Sequence, residues 1–191
     1  LSFSPGLAPG YNRSSMKIAL FGGSFNPPHA GHVAVAKHLI DSGSFDEVWV
    51  LPTFRHPFDK NLTPFEDRLA LCRLAFGELP QVRVSEAERE AQSPKGFTVD
   101  LLRHLKKKFP KHRFFLVMGS DLKREADQWK DFDQIEKLAT LHPIPRKGYE
   151  DSPFPEVSST ELRTALAGKR DVSALIPRKV FEEIRRRGLY R

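Results

Sequence analysis

The chain predicts an α/β fold: a doubly wound parallel sheet of about five strands in a single domain. Three observations carry that reading. Ile18 to Phe21 is a short apolar run that ends in Gly22-Gly23, and Val33, Ala36 and Ile40 then recur at helical spacing, giving strand, turn and helix. Glu47 to Leu51 (Glu-Val-Trp-Val-Leu) is a second strand closed by Pro52, which completes a βαβ unit with a right-handed crossover. Arg113 to Met118 is a strand of almost unbroken apolar side chains, suited to an interior position covered on both faces.

The remaining elements follow from local signals. Gln81 to Ser85 alternates and predicts a third strand, while Ala139 to Ile144, interrupted by Pro143, predicts an edge strand. Thr63-Pro64-Phe65-Glu66 predicts a helix start with an S/T-x-x-E capping box and proline at the first helical position. Cys72 falls in that helix among Leu69, Leu71 and Leu74 and reads as a buried structural thiol. Another helix begins at Gly96-Phe97-Thr98 with Val99, Leu102 and Leu105 on one face, and a further one carries Ile135 and Leu138. Ser158 or Ser159 caps a helix that Gly168 ends, with Glu161 completing a box; Pro177 opens the last helix, docked by Val180, Phe181 and Ile184.

Composition narrows the class. With 39% hydrophobic and 29% charged residues, the 191-residue chain has the make-up of a soluble globular protein, and no apolar run approaches the roughly 20 residues of a membrane span. One cysteine excludes a disulfide framework and a cysteine-based metal site, and with no secretory signal the expected location is cytoplasmic. Residues 1–15, rich in Pro, Gly and Ser and without a period, read as a cloned extension or the product of an upstream start, leaving 16–191 as the folded domain. A net charge of +7 points to an anionic partner, and both nucleotide and nucleic acid fit it. Lys106-Lys107-Lys108 and Arg185-Arg186-Arg187 each end a helical pattern, where cations complement the helix dipole.

The turn after the first strand is built for an anion. Gly22 and Gly23 let the backbone approach a ligand, Pro27 and Pro28 stiffen the loop, and the following helix offers unpaired N–H groups and a positive dipole end. His29 and His32 bracket Gly31 where that helix begins, so both imidazoles can reach one phosphate chain.

Gly22-Gly23-Ser24-Phe25-Asn26-Pro27-Pro28-His29-Ala30-Gly31-His32 resembles the signature of the nucleotidyltransferases with an H-x-G-H motif, a Rossmann-like family, and most closely that of bacterial nicotinate-nucleotide adenylyltransferases. Asn26 stands where that family usually has Asp. The resemblance covers Met16 to Arg191, thinning between Arg146 and Ser158. It implies adenylyl transfer from ATP to nicotinate mononucleotide, giving deamido-NAD and pyrophosphate, with Mg²⁺ riding on the ATP phosphates. It implies catalytic roles for His29, His32, Lys60 and Arg163, and ATP contacts from Gly22, Gly23, Ser24, Phe25, Gly119, Asp121, Arg146, Ser158, Ser159 and Thr160. Lys60 stands for a lysine in a family Pro-Pro-His-Lys, but here Phe58 and Asp59 separate Pro57 from Lys60, and Arg55 or His56 could take its role. Asp121, in Gly119-Ser120-Asp121, stands for a carboxylate on a ribose hydroxyl, and as a residue alone it could equally cap a helix. Phe97-Thr98 and Trp129 stand for the pyridine-base pocket, against ordinary core packing. Without the first motif, Ser158-Ser159-Thr160 with Arg163 is only a capping box; with it, the resemblance implies a second phosphate clamp.

The chemistry needs no general base, since a phosphate monoester with a second pKa of about 6 is already a nucleophile at neutral pH. Within the same class, the alternatives are acceptors such as nicotinamide mononucleotide or phosphopantetheine. From another class comes a non-enzymatic RNA-binding module, which the absence of aromatic and basic interleaving disfavours, so no stable nucleic-acid partner is expected.

Overall fold

The computed structural model describes residues 15–56, 62–120, 129–145 and 152–191. The leader expected over 1–15 therefore lies, except for Ser15, outside the described residues, as do Lys60, Asp121 and Arg146. Five parallel strands form one sheet in the order β3-β2-β1-β4-β5: β1 (Lys17–Gly23), β2 (Glu47–Pro52), β3 (Val82–Val84), β4 (Arg113–Gly119) and β5 (Thr140–Ile144). Each of the five expected strands is present, and the proline-interrupted β5 is at an edge.

Alternation along β1 explains the double layer. Ile18 and Leu20 point to one face, where Leu102 and Leu105 of α4 (Thr98–Lys108) and Ile135 of α5 (Phe132–Leu138) meet them with Trp49 and Phe114. Ala19 and Phe21 point to the other, against Val35, Ala36 and Leu39 of α1 (Ala30–Asp41) and Cys72 and Phe76 of α2 (Phe65–Phe76). A third cluster joins Leu71 of α2 to Leu162 and Ala165 of α6 (Ser159–Ala167) and to Val180 and Ile184 of α7 (Arg178–Arg187). The last two helices thus pack outside α2.

Several local expectations need correction. The buried line of α1 is Gly31, Val35, Ala36 and Leu39, so Val33 and Ile40 sit half-buried at the rim of that stripe. Thr63 forms no capping box: Pro64 is the N-cap, extended at ψ 142°, and the Thr63 carbonyl instead receives the Arg68 guanidinium. At α6 Ser158 is the cap, its hydroxyl accepting the Glu161 N–H at 3.4 Å. The polar stretch after β3 contains a short helix, α3 (Ala87–Glu90), that no apolar period announces. Both basic clusters do end helices, and there Lys108 meets Glu90, Arg186 meets Glu183 and Arg187 meets Asp67. Among the described residues no helix is long and apolar enough to cross a membrane.

Candidate active site

Strand order places the site. From β1 the chain winds outward through β2 to β3 and then returns to β4 on the other side of β1, so the crevice at the carboxyl ends of β1 and β4 is the switch point where open α/β sheets bind ligands. The loop leaving β1 there leads into α1, which carries His29 as its N-cap and His32 in its first turn.

His29 is the N-cap of α1 and is buried, and its main-chain N–H donates to His32 Nδ1 at 3.2 Å. That bond makes Nδ1 an acceptor, so in the neutral His32 ring the proton sits on Nε2, a donor suited to a phosphate oxygen. The two rings stack with centroids 3.7 Å apart, and Phe25 meets His32 edge-on at 4.8 Å. Burial pushes the His29 pKa down to about 4, so at neutral pH the stacked pair carries at most the charge of His32. Gly31 is a tight approach: a Cβ there would stand 3.0 Å from the Pro155 carbonyl oxygen and 3.2 Å from the His29 ring, so those neighbours would have to shift.

Other residues of the loop divide by role. Gly22 is exposed at the end of β1, and a Cβ on it would meet nothing, whereas Gly23 lies against the Phe25 ring. Phe25 is 1% exposed and packs on Phe21 and Phe76, so its side chain belongs to the core and only its backbone faces the loop. Asn26 is likewise buried, and its main-chain oxygen does the visible work: it accepts from Arg163 Nη1 at 2.8 Å. A contact made through the backbone is indifferent to Asn or Asp at this position.

That bond joins the two motifs. Ser159 Oγ donates to the Pro27 carbonyl at 3.1 Å, while Arg163 Nη1 also reaches the Ser159 carbonyl at 3.2 Å and Nη2 reaches Thr160 Oγ1 at 3.2 Å. The start of α6 is therefore docked on the phosphate loop, with its hydroxyl and guanidinium holding main-chain oxygens.

On the other side of the switch, Gly119 ends β4 and the Ser120 N–H donates to the Ile144 carbonyl at 3.0 Å. Phe97 and Trp129 both pack against the first core cluster, and Lys130 Nζ lies 4.7 Å from the Phe97 ring centroid. The Phe97 N–H is engaged by Ser93 Oγ at 3.0 Å, and Ser93 in turn donates to Asp100 at 2.7 Å, so Thr98 and Val99 supply the N–H groups that the start of α4 presents. The depression beside Trp129 is also lined by Asp131 and Asp133, so the charged end of an anion stacked on Trp129 has to face away from those carboxylates. A basic cleft of about 400 Å³ lies between Phe54, Arg55, His56, Thr63, Arg68 and Lys95, so the two alternatives to Lys60 share one cleft. Gly96, at φ 69°, abuts this cleft: a Cβ there would overlap the Arg55 carbonyl oxygen, and Arg55 Nη1 donates to the Pro94 carbonyl at 3.3 Å.

The Cytidylyltransferase-like family model matches residues 20–165. A protein of Anaeromyxobacter sp. (strain K), named a probable nicotinate-nucleotide adenylyltransferase, is 45% identical over 181 residues, covering 92% of this chain and 97% of its own. This chain belongs to the nicotinate-nucleotide adenylyltransferase family. A family member of the same name from Thermus thermophilus is 36% identical over 187 residues, with 92% of this chain and all of its own covered. The fold matches that of Plasmodium falciparum nicotinic acid mononucleotide adenylyltransferase complexed with NaAD at a TM-score of 0.78, 22% identity, and coverage of 91% and 97%.

Sequence reasoning missed Arg68 in this family member. It is 1% exposed and bound to three main-chain carbonyls. The signal was available: Arg68 lies three residues after Phe65 and four before Cys72, on the buried stripe of α2.

Proposed function

We propose that the chain transfers the adenylyl group of ATP to nicotinate mononucleotide, releasing pyrophosphate and forming deamido-NAD, in NAD biosynthesis. The observation that carries the reading is the junction of the two anion-binding helix starts, α1 and α6, bridged by Arg163 to Asn26 and Ser159 to Pro27 at the sheet's switch point. The names of the relatives on either side of 40% identity support the same reaction.

In this reading the triphosphate lies along that junction. The mononucleotide phosphate attacks the α-phosphorus, the bond to the bridging oxygen breaks, and pyrophosphate leaves with the electron pair. His32 Nε2 donates to the oxygens on which charge builds. His29, held neutral by burial, fixes the ring of His32 by stacking and through its own N–H. Ser158, Ser159, Thr160 and Arg163 serve the leaving pyrophosphate, with Lys60 and Arg146 adding charge. Imidazoles and N–H groups suit phosphate oxygens better than a hard cation, so Mg²⁺ would be held by the ATP phosphates, where it would supply charge neutralisation. Both substrates are cytoplasmic solutes, and the reaction belongs in that compartment.

The pyridine ring stacks on Trp129, and its carboxylate faces the Thr98 and Val99 N–H groups with Lys130 beside them. Donors alone favour a carboxylate over an amide, which also presents N–H groups. Asp121 meets a ribose hydroxyl. The test is a reaction with ATP labelled at the α-phosphate and nicotinate mononucleotide. The label should appear in a product with the mass of deamido-NAD; label left in ADP or AMP alone, or no reaction, would overturn the reading.

A further inference from the structure

We propose that Arg68 is a positioning residue that sets the spacing between the ATP loop and the loop leaving β2. The proposal rests on the function given above. The ladder between β1 and β2 ends with the Thr53 N–H donating to the Gly23 carbonyl at 2.9 Å, and beyond that rung the two chains part. Arg68 spans the fork. Its Nη1 donates to the Ser24 carbonyl at 2.9 Å on the ATP loop, its Nη2 to the Thr53 carbonyl at 2.7 Å on the loop leaving β2, and its Nε to the Thr63 carbonyl at 2.7 Å at the entry to α2.

Packing alone, including its guanidinium 5.8 Å from the Phe65 ring centroid, does not demand a cation here. A guanidinium that is 1% exposed, with no carboxylate within ion-pair distance among the described residues, is a costly side chain in a place where methionine would fill the volume. What it supplies is three donors in one plane, each aimed at a different segment, which lysine cannot reproduce. Two of those segments flank the reaction: Ser24 leads to His29 and His32, and Thr53 leads to Arg55 and His56 in the basic cleft. A rigid fork therefore fixes the two histidines relative to the basic side chains of the cleft, and in-line transfer depends on such placement.

The experiment compares Arg68→Lys with Ile184→Ala, a core change in α7 that touches neither loop. Turnover is expressed per folded molecule from circular dichroism at the assay temperature, and ATP and nicotinate mononucleotide affinities are measured separately by calorimetry. Arg68→Lys should lower kcat by about 10²-fold, with each separate affinity within about threefold of the parent. Ile184→Ala should keep the parental kcat. Parental kcat in folded Arg68→Lys, or a fall in kcat that Ile184→Ala shares, overturns the proposal. Should Arg68→Lys not fold, Arg68→Gln is measured in its place, and failure of both to fold also overturns it in favour of a purely structural role. If the parent itself transfers nothing to nicotinate mononucleotide, the functional reading fails, and hydrogen exchange still decides the coupling. Amides in both 22–28 and 53–56 should then exchange about tenfold faster in Arg68→Lys with β4 unchanged, and acceleration in one segment alone refutes it.

Discussion

Arg163→Ala tests the junction between the two motifs. The side chain donates to the Asn26 carbonyl at 2.8 Å and lies at the start of the helix that docks on the ATP loop. Hydrogen bonds to charged groups are worth about 1.5–3 kcal/mol, and each 1.4 kcal/mol is tenfold in affinity, so ATP binding should weaken by about one to two decades. The partner contact, Ser159 Oγ to the Pro27 carbonyl, is a neutral bond of about 0.5–1.5 kcal/mol, so Ser159→Ala should weaken ATP binding by about two- to tenfold. Both hold the same two segments, so the double variant should lose less than the sum. Calorimetry on each variant with ATP and with nicotinate mononucleotide reads this directly, and the mononucleotide should bind nearly as in the parent. Unchanged ATP affinity in Arg163→Ala, or equal losses for both ligands, would refute the reasoning.

Other expectations follow from the same geometry. His32→Ala should fold normally and lose about 10²–10³ in kcat, as removal of one preorganised donor does, and near-parental turnover would remove His32 from the reaction. Trp129→Ala should raise KM for the mononucleotide by about one to two decades and leave ATP binding alone, since stacking is worth roughly 1–3 kcal/mol per base; an unchanged KM excludes the stack. His29 is protonated near pH 4 in the folded chain and near 6.5 when unfolded, so its contribution to stability is complete above pH 6.5 and falls as the pH drops through that window, by up to about 3 kcal/mol. Urea melts from pH 7 to pH 4 should therefore be flatter for His29→Gln, and equal slopes for the two proteins would contradict the buried neutral imidazole.

Much of the fold was legible because its strands are short apolar runs bounded by glycine or proline. What failed were boundaries decided by distant groups. Thr63 reads as a cap until Arg68, five residues on, takes its carbonyl, and α3 has four residues and too little periodicity to announce itself. At the site, the H-x-G-H loop was visible as an anion site, and the Ser-Ser-Thr helix as a capping box that the resemblance makes a second clamp. Their junction was not, because it joins residues 137 and 132 positions apart through the main-chain oxygens of Asn26 and Pro27, which carry no side-chain identity. Arg68 escaped for the same reason: all three of its partners are carbonyls. Lys60, Asp121 and Arg146 lie outside the described residues, and their roles rest on the resemblance alone.

The central claim is adenylyl transfer to a pyridine mononucleotide that bears a carboxylate. Pyrophosphate release, coupled to phosphate detection, measures it for nicotinate mononucleotide, nicotinamide mononucleotide and phosphopantetheine under identical ATP and Mg²⁺. The account predicts turnover with the first at a kcat/KM at least about tenfold above the second, the ratio expected for about 1.4 kcal/mol of discrimination, and none with the third. Equal kcat/KM for the two pyridine nucleotides would contradict the carboxylate assignment, and turnover with phosphopantetheine alone would contradict the account as a whole.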